Sequence, residues 1–156
     1  MKRNVAITLV TTAAIAAISL GCFAGCSKKK EASQIASAKL FRNDHAVETT
    51  IDLSDGYSCE FTQGAVYVYD QEKNEDIPEV AIGIALSEKS YNDCLEMAQN
   101  DKHSKEINDG IMYTDGYSMI YVCKVGDDAF FGIFAEDVNA AEMQNIINRI
   151  STSPEC

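Results

Sequence analysis

Six cysteines, two histidines and a run of alternating acids give this chain its chemical reach. Cys94 and His103, nine residues apart, are the one thiol and imidazole close enough in sequence to suggest a nucleophile with its base. Such a pair also needs an orienting third group and an oxyanion hole, and no local signature supplies either. Cys94 falls on an apolar helical stripe, which makes it a buried structural residue, and His45 stands in a polar stretch as a solvated side chain. Asp70, Glu72, Asn74 and Asp76 alternate as oxygen ligands for calcium would. A helix-flanked calcium loop needs Gly at its sixth position and Glu at its twelfth, where Glu75 and Ala81 stand. A solvated acidic loop is expected instead, with no metal and no cofactor. No G-x-S-x-G, P-loop, H-E-x-x-H or dinucleotide fingerprint is present. A non-enzymatic role is therefore expected, the alternatives being an enzyme whose site assembles only in space and a structural or assembly factor. Tyr67 and Tyr69 share one strand face, and Tyr121 lies on a later strand. Half-buried strands commonly hold tyrosine, but an outward tyrosine face also offers rigid area with polar tips to a protein, peptide or glycan.

Four cysteines, Cys59, Cys94, Cys123 and Cys156, lie 29 to 35 residues apart in the body of the chain. None forms a C-x-x-C pair, and zinc ligands usually come closely spaced. An even number in an exported domain favours two disulfides, with three possible connectivities. The expected pairs are Cys59 with Cys123, joining two strands, and Cys94 with Cys156, tying the tail to a helix.

Export is read from the first thirty residues. Lys2 and Arg3 are followed by a run from Val5 to Leu20 without a charge, then by Phe23-Ala24-Gly25-Cys26-Ser27. A cationic start, an apolar run and small residues mark an export signal. Phe23-Ala24-Gly25-Cys26 resembles the lipobox of bacterial lipoproteins, with Phe23 where leucine is usual. The resemblance implies cleavage before Cys26 and a diacylglycerol on its thiol. Ser19-Leu20-Gly21-Cys22 is a second candidate, with Leu20 where Ala or Ser is usual. The alternative is an uncleaved spanning helix over residues 5–25, since about 20 apolar residues cross a bilayer. The implied organisation is a signal peptide over 1–25, a lipidated tether over 26–46 and one domain over 47–156. In either case the domain is expected on the extracytoplasmic face of the cell membrane.

Charge narrows the partners. Without Lys2 and Arg3 the chain keeps 11 basic residues against 24 acidic ones, a net −13. From Asn43 onward the balance is 6 against 23, or −17. A surface this acidic repels nucleic acid and anionic headgroups. Lys28, Lys29 and Lys30 instead attract them, at roughly 1 kcal/mol each.

The elements that position these residues follow from period. Apolar alternation predicts strands over Val47–Leu53, Tyr57–Phe61, Ala65–Tyr69, Val80–Leu86, Ile111–Tyr113, Tyr117–Val125 and Ala129–Ala135. In Val80–Leu86 the branched residues share one face, which is expected to be core, opposite Ala81, Gly83 and Ala85. Those small residues leave room for a closely packed element, or for an open back. Tyr91, Cys94, Leu95 and Ala98 make one helical stripe, capped by Ser87 or Ser90; Met143, Ile146, Ile147 and Ile150 make another, capped by Asn139 with Glu142 three residues on and stopped by Pro154. Hairpins make the sheet antiparallel, so the fold class is α+β: an antiparallel β-sheet with two flanking α-helices, preceded by the N-terminal hydrophobic signal helix. The element order, with the Asp55-Gly56-Tyr57 turn, is similar to the PsbP/Mog1-like fold. That likeness implies architecture and no activity.

Overall fold

A computed structural model describes residues 34–43, 45–72 and 79–154. The signal segment, Cys22, Cys26, the lysine triplet, Cys156 and the centre of the acidic loop (73–78) lie outside the described residues.

Among the described residues, ten strands and two helices follow one another as β1 (Ile35–Arg42), β2 (His45–Asp52), β3 (Tyr57–Phe61), β4 (Ala65–Asp70), β5 (Glu79–Leu86), α1 (Glu88–Asn100), β6 (Lys105–Ile107), β7 (Gly110–Thr114), β8 (Ser118–Val125), β9 (Ala129–Glu136), α2 (Ala140–Arg149) and β10 (Ile150–Pro154). They form a three-stranded sheet, β1-β2-β10, and a seven-stranded sheet, β3-β4-β5-β9-β8-β7-β6. Every pairing is antiparallel. The α+β class with two helices is therefore the observed one.

Alternation along the strands gives the large sheet two unlike sides. On one, Val66, Val68, Ala81, Ala85, Tyr121, Cys123, Phe131 and Ile133 pack with Met143, Ile146 and Ile147 of α2 and with Leu40, Val47 and Ile51 of the small sheet. On the other, Tyr113, Ile120 and Val122 meet Ala98 of α1, with Tyr91, Cys94 and Leu95 around it. Both helical stripes thus point into the structure, as their spacing predicts. The caps hold as well: Ser87 Oγ accepts from the Ser90 N–H at 3.1 Å. Asn139 Oδ1 accepts from Ala141 N and Glu142 N, while Asn139 N donates to Glu142 Oε2 at 2.8 Å, a closed capping box. Among the described residues no helix is long and apolar enough to cross a membrane.

Three expectations are corrected. Residues 35–46 are not tether: β1 pairs with β2 along eight positions, from Ile35 opposite Asp52 to Arg42 opposite His45. Leu40 is fully buried between the sheets, so β1 belongs to the folded body, which does not begin at 47. Ser37 and Lys39 face outward between small inward alanines, and that polar alternation hides the strand. The second correction concerns the end of α2. Ile150 is not the last turn of a helical stripe; its backbone is extended and it opens β10, opposite Ile51, with Pro154 at that strand's end. Edge pairing with β2 captures the chain before the helix can add another turn.

The third correction concerns the branched side of β5, expected to be core; for the small residues opposite, the closely packed alternative holds. Ala81, Gly83 and Ala85 face the sealed side, and Ile82 and Ile84 are only half-buried on the other. A Cβ on Gly83 would lie 2.7 Å from Phe131 Cζ and 2.9 Å from Val66 Cγ1. The phenyl ring therefore lies across the strand where side chains are missing. Closeness, not bulk, marks this buried face.

Candidate functional site

Alternation in β4 separates Val66 and Val68, on the sealed side, from Ala65, Tyr67 and Tyr69, on the other. Register then extends the tyrosine side across the sheet. Tyr67 stands opposite Ile82 of β5, Ala65 opposite Ile84, and Ile82 opposite Phe134 of β9. Towards the edge, Glu60 of β3 stands opposite Tyr67; on the inner side, Glu79 at the start of β5 stands opposite Tyr69 beyond a bulge. All of these apolar side chains are half-buried, while Glu60 and Glu79 are exposed. α1, the helix on this side, lies against β7, β8 and β9.

Strands β3, β4 and β5 carry Glu60, Asp70 and Glu79 and no lysine or arginine. Partial burial, and then the charges of Glu60 and Glu79, push the Tyr69 phenol up, so it stays a protonated donor at physiological pH. The surface is a patch of two tyrosines, two isoleucines and one phenylalanine with an exposed glutamate on either side of the tyrosine strand.

Tyr121 does not belong to it. Its partners in register, Met112 and Ile133, are on the sealed side, and it is 6% exposed. Burial first, then Cys123, raises its phenol pKa. An odd-to-odd spacing between strands carries no information about side until the register is known, and the register puts Tyr121 opposite in sense to Tyr67 and Tyr69. The sequence also passed over Ile82, Ile84, Phe134, Glu60 and Glu79. The signal was present in the branched side of β5, but it reads equally as core.

The cysteines are corrected in part. Cys59, Cys94 and Cys123 carry free thiols. Cys59 is on β3 and Cys123 on β8, four strands along the sheet order. That is about 19 Å at the usual strand spacing, against the roughly 7 Å between Cα atoms that a disulfide can bridge. The expected partner of Cys94, Cys156, lies outside the described residues. Burial pushes the Cys59 and Cys123 thiols up, opposite to the activated direction; for Cys123, hydrogen bonds from Tyr121 and Thr152 partly offset this. His103 is exposed beyond the end of α1, where its N–H donates to Asp101 Oδ1 at 2.9 Å. His45 is the exposed first residue of β2.

Apart from the tyrosine patch, a cleft of about 240 Å³ is lined by Tyr57, Asp70, Val80, Glu142, Asn145 and Ile146. Its carboxylates serve the backbone: Glu142 closes the capping box, and Asp70 Oδ1 accepts from Glu72 N at 3.0 Å. Beside it Arg149 clasps the β2–β3 turn. Its guanidinium lies 4.1 Å from the Tyr57 ring centroid, donates to Ser54 O at 2.8 Å and pairs with Asp55 Oδ2 at 2.7 Å. Among the described residues, no group of three His, Cys, Asp or Glu side chains is placed to hold a metal ion.

No known protein family matches the chain, no curated protein matches it in sequence, and no solved structure matches its fold.

Proposed function

We propose that this protein is a bacterial lipoprotein whose domain stands on the extracytoplasmic face of the cell membrane as a non-enzymatic binding module. In this reading residues 1–25 are a hydrophobic signal helix removed on export, Cys26 carries the lipid, and the lysine triplet settles on the headgroups. The observation that carries it is Ala24-Gly25-Cys26-Ser27 directly after a long uncharged apolar run. The half-buried apolar patch around Tyr67 and Tyr69 supports a contact role, because a patch of this kind with a polar rim is the usual form of an interaction surface. Acidity argues for an envelope protein or peptide as the partner and against nucleic acid.

The test is the intact mass of the protein purified from the membrane fraction of its native cell, with alkylation of the unfolded chain before and after reduction. A mass equal to residues 26–156 plus diacylglycerol, with Cys59, Cys94 and Cys123 alkylated without reductant, is expected. A full-length mass makes residues 5–25 a spanning helix and removes the lipoprotein reading.

A further inference from the structure

Among the described residues no helix lies on the β3–β4–β5 half of the sheet face beside α1, and that half has the dimensions and the charge of a seat for one more helix. Resting on the reading of that face as a binding surface, we infer that it takes a cationic amphipathic helix from a protein partner, laid beside α1 in the same layer. α1 shows the geometry. It is a 13-residue helix whose stripe of Tyr91, Cys94, Leu95 and Ala98 covers the β7–β8–β9 half of the sheet. A helix is about 10 Å wide and strands lie about 4.8 Å apart, so one helix covers two or three strands. β3, β4 and β5 are left over on one side of it, with the short β6 on the other.

The chemistry fixes the occupant. Tyr67 and Tyr69 of β4 form the middle of the seat and Ile82 and Ile84 of β5 its inner flank, next to Phe134 at the margin of the α1 cluster, which suits an apolar stripe at i, i+3, i+4 and i+7. Glu60 stands on the outer strand β3 and Glu79 at the start of β5, with no basic residue in the three strands to neutralise them. Lysines or arginines on either side of the incoming helix's apolar stripe answer those two carboxylates. A second copy of this chain does not fit, because it would set one acidic surface against another: from Asn43 onward 23 acidic residues face 6 basic ones. A glycan finds few side-chain donors here apart from the tyrosine hydroxyls and Ser58.

The test is hydroxyl-radical footprinting of the full chain in zwitterionic nanodiscs. The reactivity of Tyr67 and Tyr69 is read against that of Tyr117, which is 92% exposed at the β7–β8 tip and serves as an internal reference. The probes are three peptides of about 18 residues, five helical turns: a Leu/Lys amphipathic helix, the same helix with Glu for Lys, and a Leu/Lys scramble without a stripe. The Leu/Lys helix is expected to protect Tyr67 and Tyr69 and leave Tyr117 unchanged, while the other two protect neither. The double variant Glu60→Lys/Glu79→Lys should weaken that protection about tenfold. Equal protection by all three peptides, protection by none, or indifference to the double variant overturns the inference. Protection already complete without peptide also overturns it, because it places a segment of this chain or a second copy on the face. A photo-crosslinking benzoylphenylalanine in place of Ile84, used in the native cell, separates the two claims. Protein adducts there without peptide protection leave the binding module standing and remove the cationic helix. Absence of both removes both.

Discussion

The large sheet has one sealed side and one half-covered side, and the same strands build both. The sealed side meets α2 and a second sheet, and its side chains approach so closely that Gly83 has no room for a Cβ. Among the described residues the other side meets one helix, α1, over β7, β8 and β9, and its β4–β5 half keeps Tyr67, Tyr69, Ile82 and Ile84 only half-buried. Alternation assigns a residue to a side. The elements available to lie on that side then decide its burial. β5 makes the point in one strand: its alanines and glycine are the buried set and its isoleucines the half-open one.

This contrast sets the size of the expected mutational effects. Ile133, 1% exposed, and Ile84, half-buried, sit on adjacent strands and opposite sides. Ile133→Ala should cost about 2–5 kcal/mol in urea unfolding, the usual range for a buried large-to-small change. Ile84→Ala should cost about 1 kcal/mol or less, having less transfer energy to lose and no cavity to leave. Equal losses would mean that the β4–β5 half is as well covered as the rest. Gly110→Ala comes next. The new Cβ would meet Val122 O at 2.5 Å, a backbone atom in the adjacent strand that a rotamer change cannot move aside. A loss of about 1–3 kcal/mol is expected, read from the same urea transitions. The helix caps should differ less between the sides. Asn139→Ala on α2 and Ser87→Ala on α1 each remove one cap, worth about 1 kcal/mol. Amide exchange should place each loss in its own helix, with the α1 change loosening the half-covered side only.

Much of this architecture follows from period alone. Seven strands, both helical stripes and both caps are where apolar spacing puts them, because each is a local pattern. The missed parts depend on partners distant in sequence. β1 reads as tether because Ala36, Ala38 and Leu40 form a thin apolar edge that needs β2 alongside to make sense. Ile150 fits a helical stripe equally well until β2 claims it. Tyr67 and Tyr69 are correctly paired by their own strand, whereas Tyr121 depends on a register running through β5, β9 and β8. The Cys59–Cys123 pairing fails for the same reason: strand order is not written in spacing.

Acid should act on the half-covered side in a distinct way. Asp101 ends α1 and its carboxylate accepts from Thr114 N at 3.0 Å and His103 N at 2.9 Å, joining the helix end to β7. Asp115 holds the β7–β8 turn through Tyr117 N and Ser118 N. Hydrogen bonds from these N–H groups, to Asp101 from Thr114 first and to Asp115 from Ser118 first, hold both carboxyls below the ordinary aspartate value of 3.8. A folded-state pKa below the unfolded one means a contribution fully present above that value and lost as pH falls through the folded pKa. Stability should therefore be flat on this account at neutral pH and decline as pH falls from about 5 towards 3. Asp101→Asn should lower stability at pH 7 and flatten that decline. Once corrected for intrinsic rate, the Thr114 amide should exchange faster at pH 3 than at pH 7, ahead of Ile133 on the sealed side. A Thr114 amide as protected at pH 3 as at pH 7 would show that packing of the α1 stripe alone, and not the Asp101 carboxylate, fastens the helix end to the sheet.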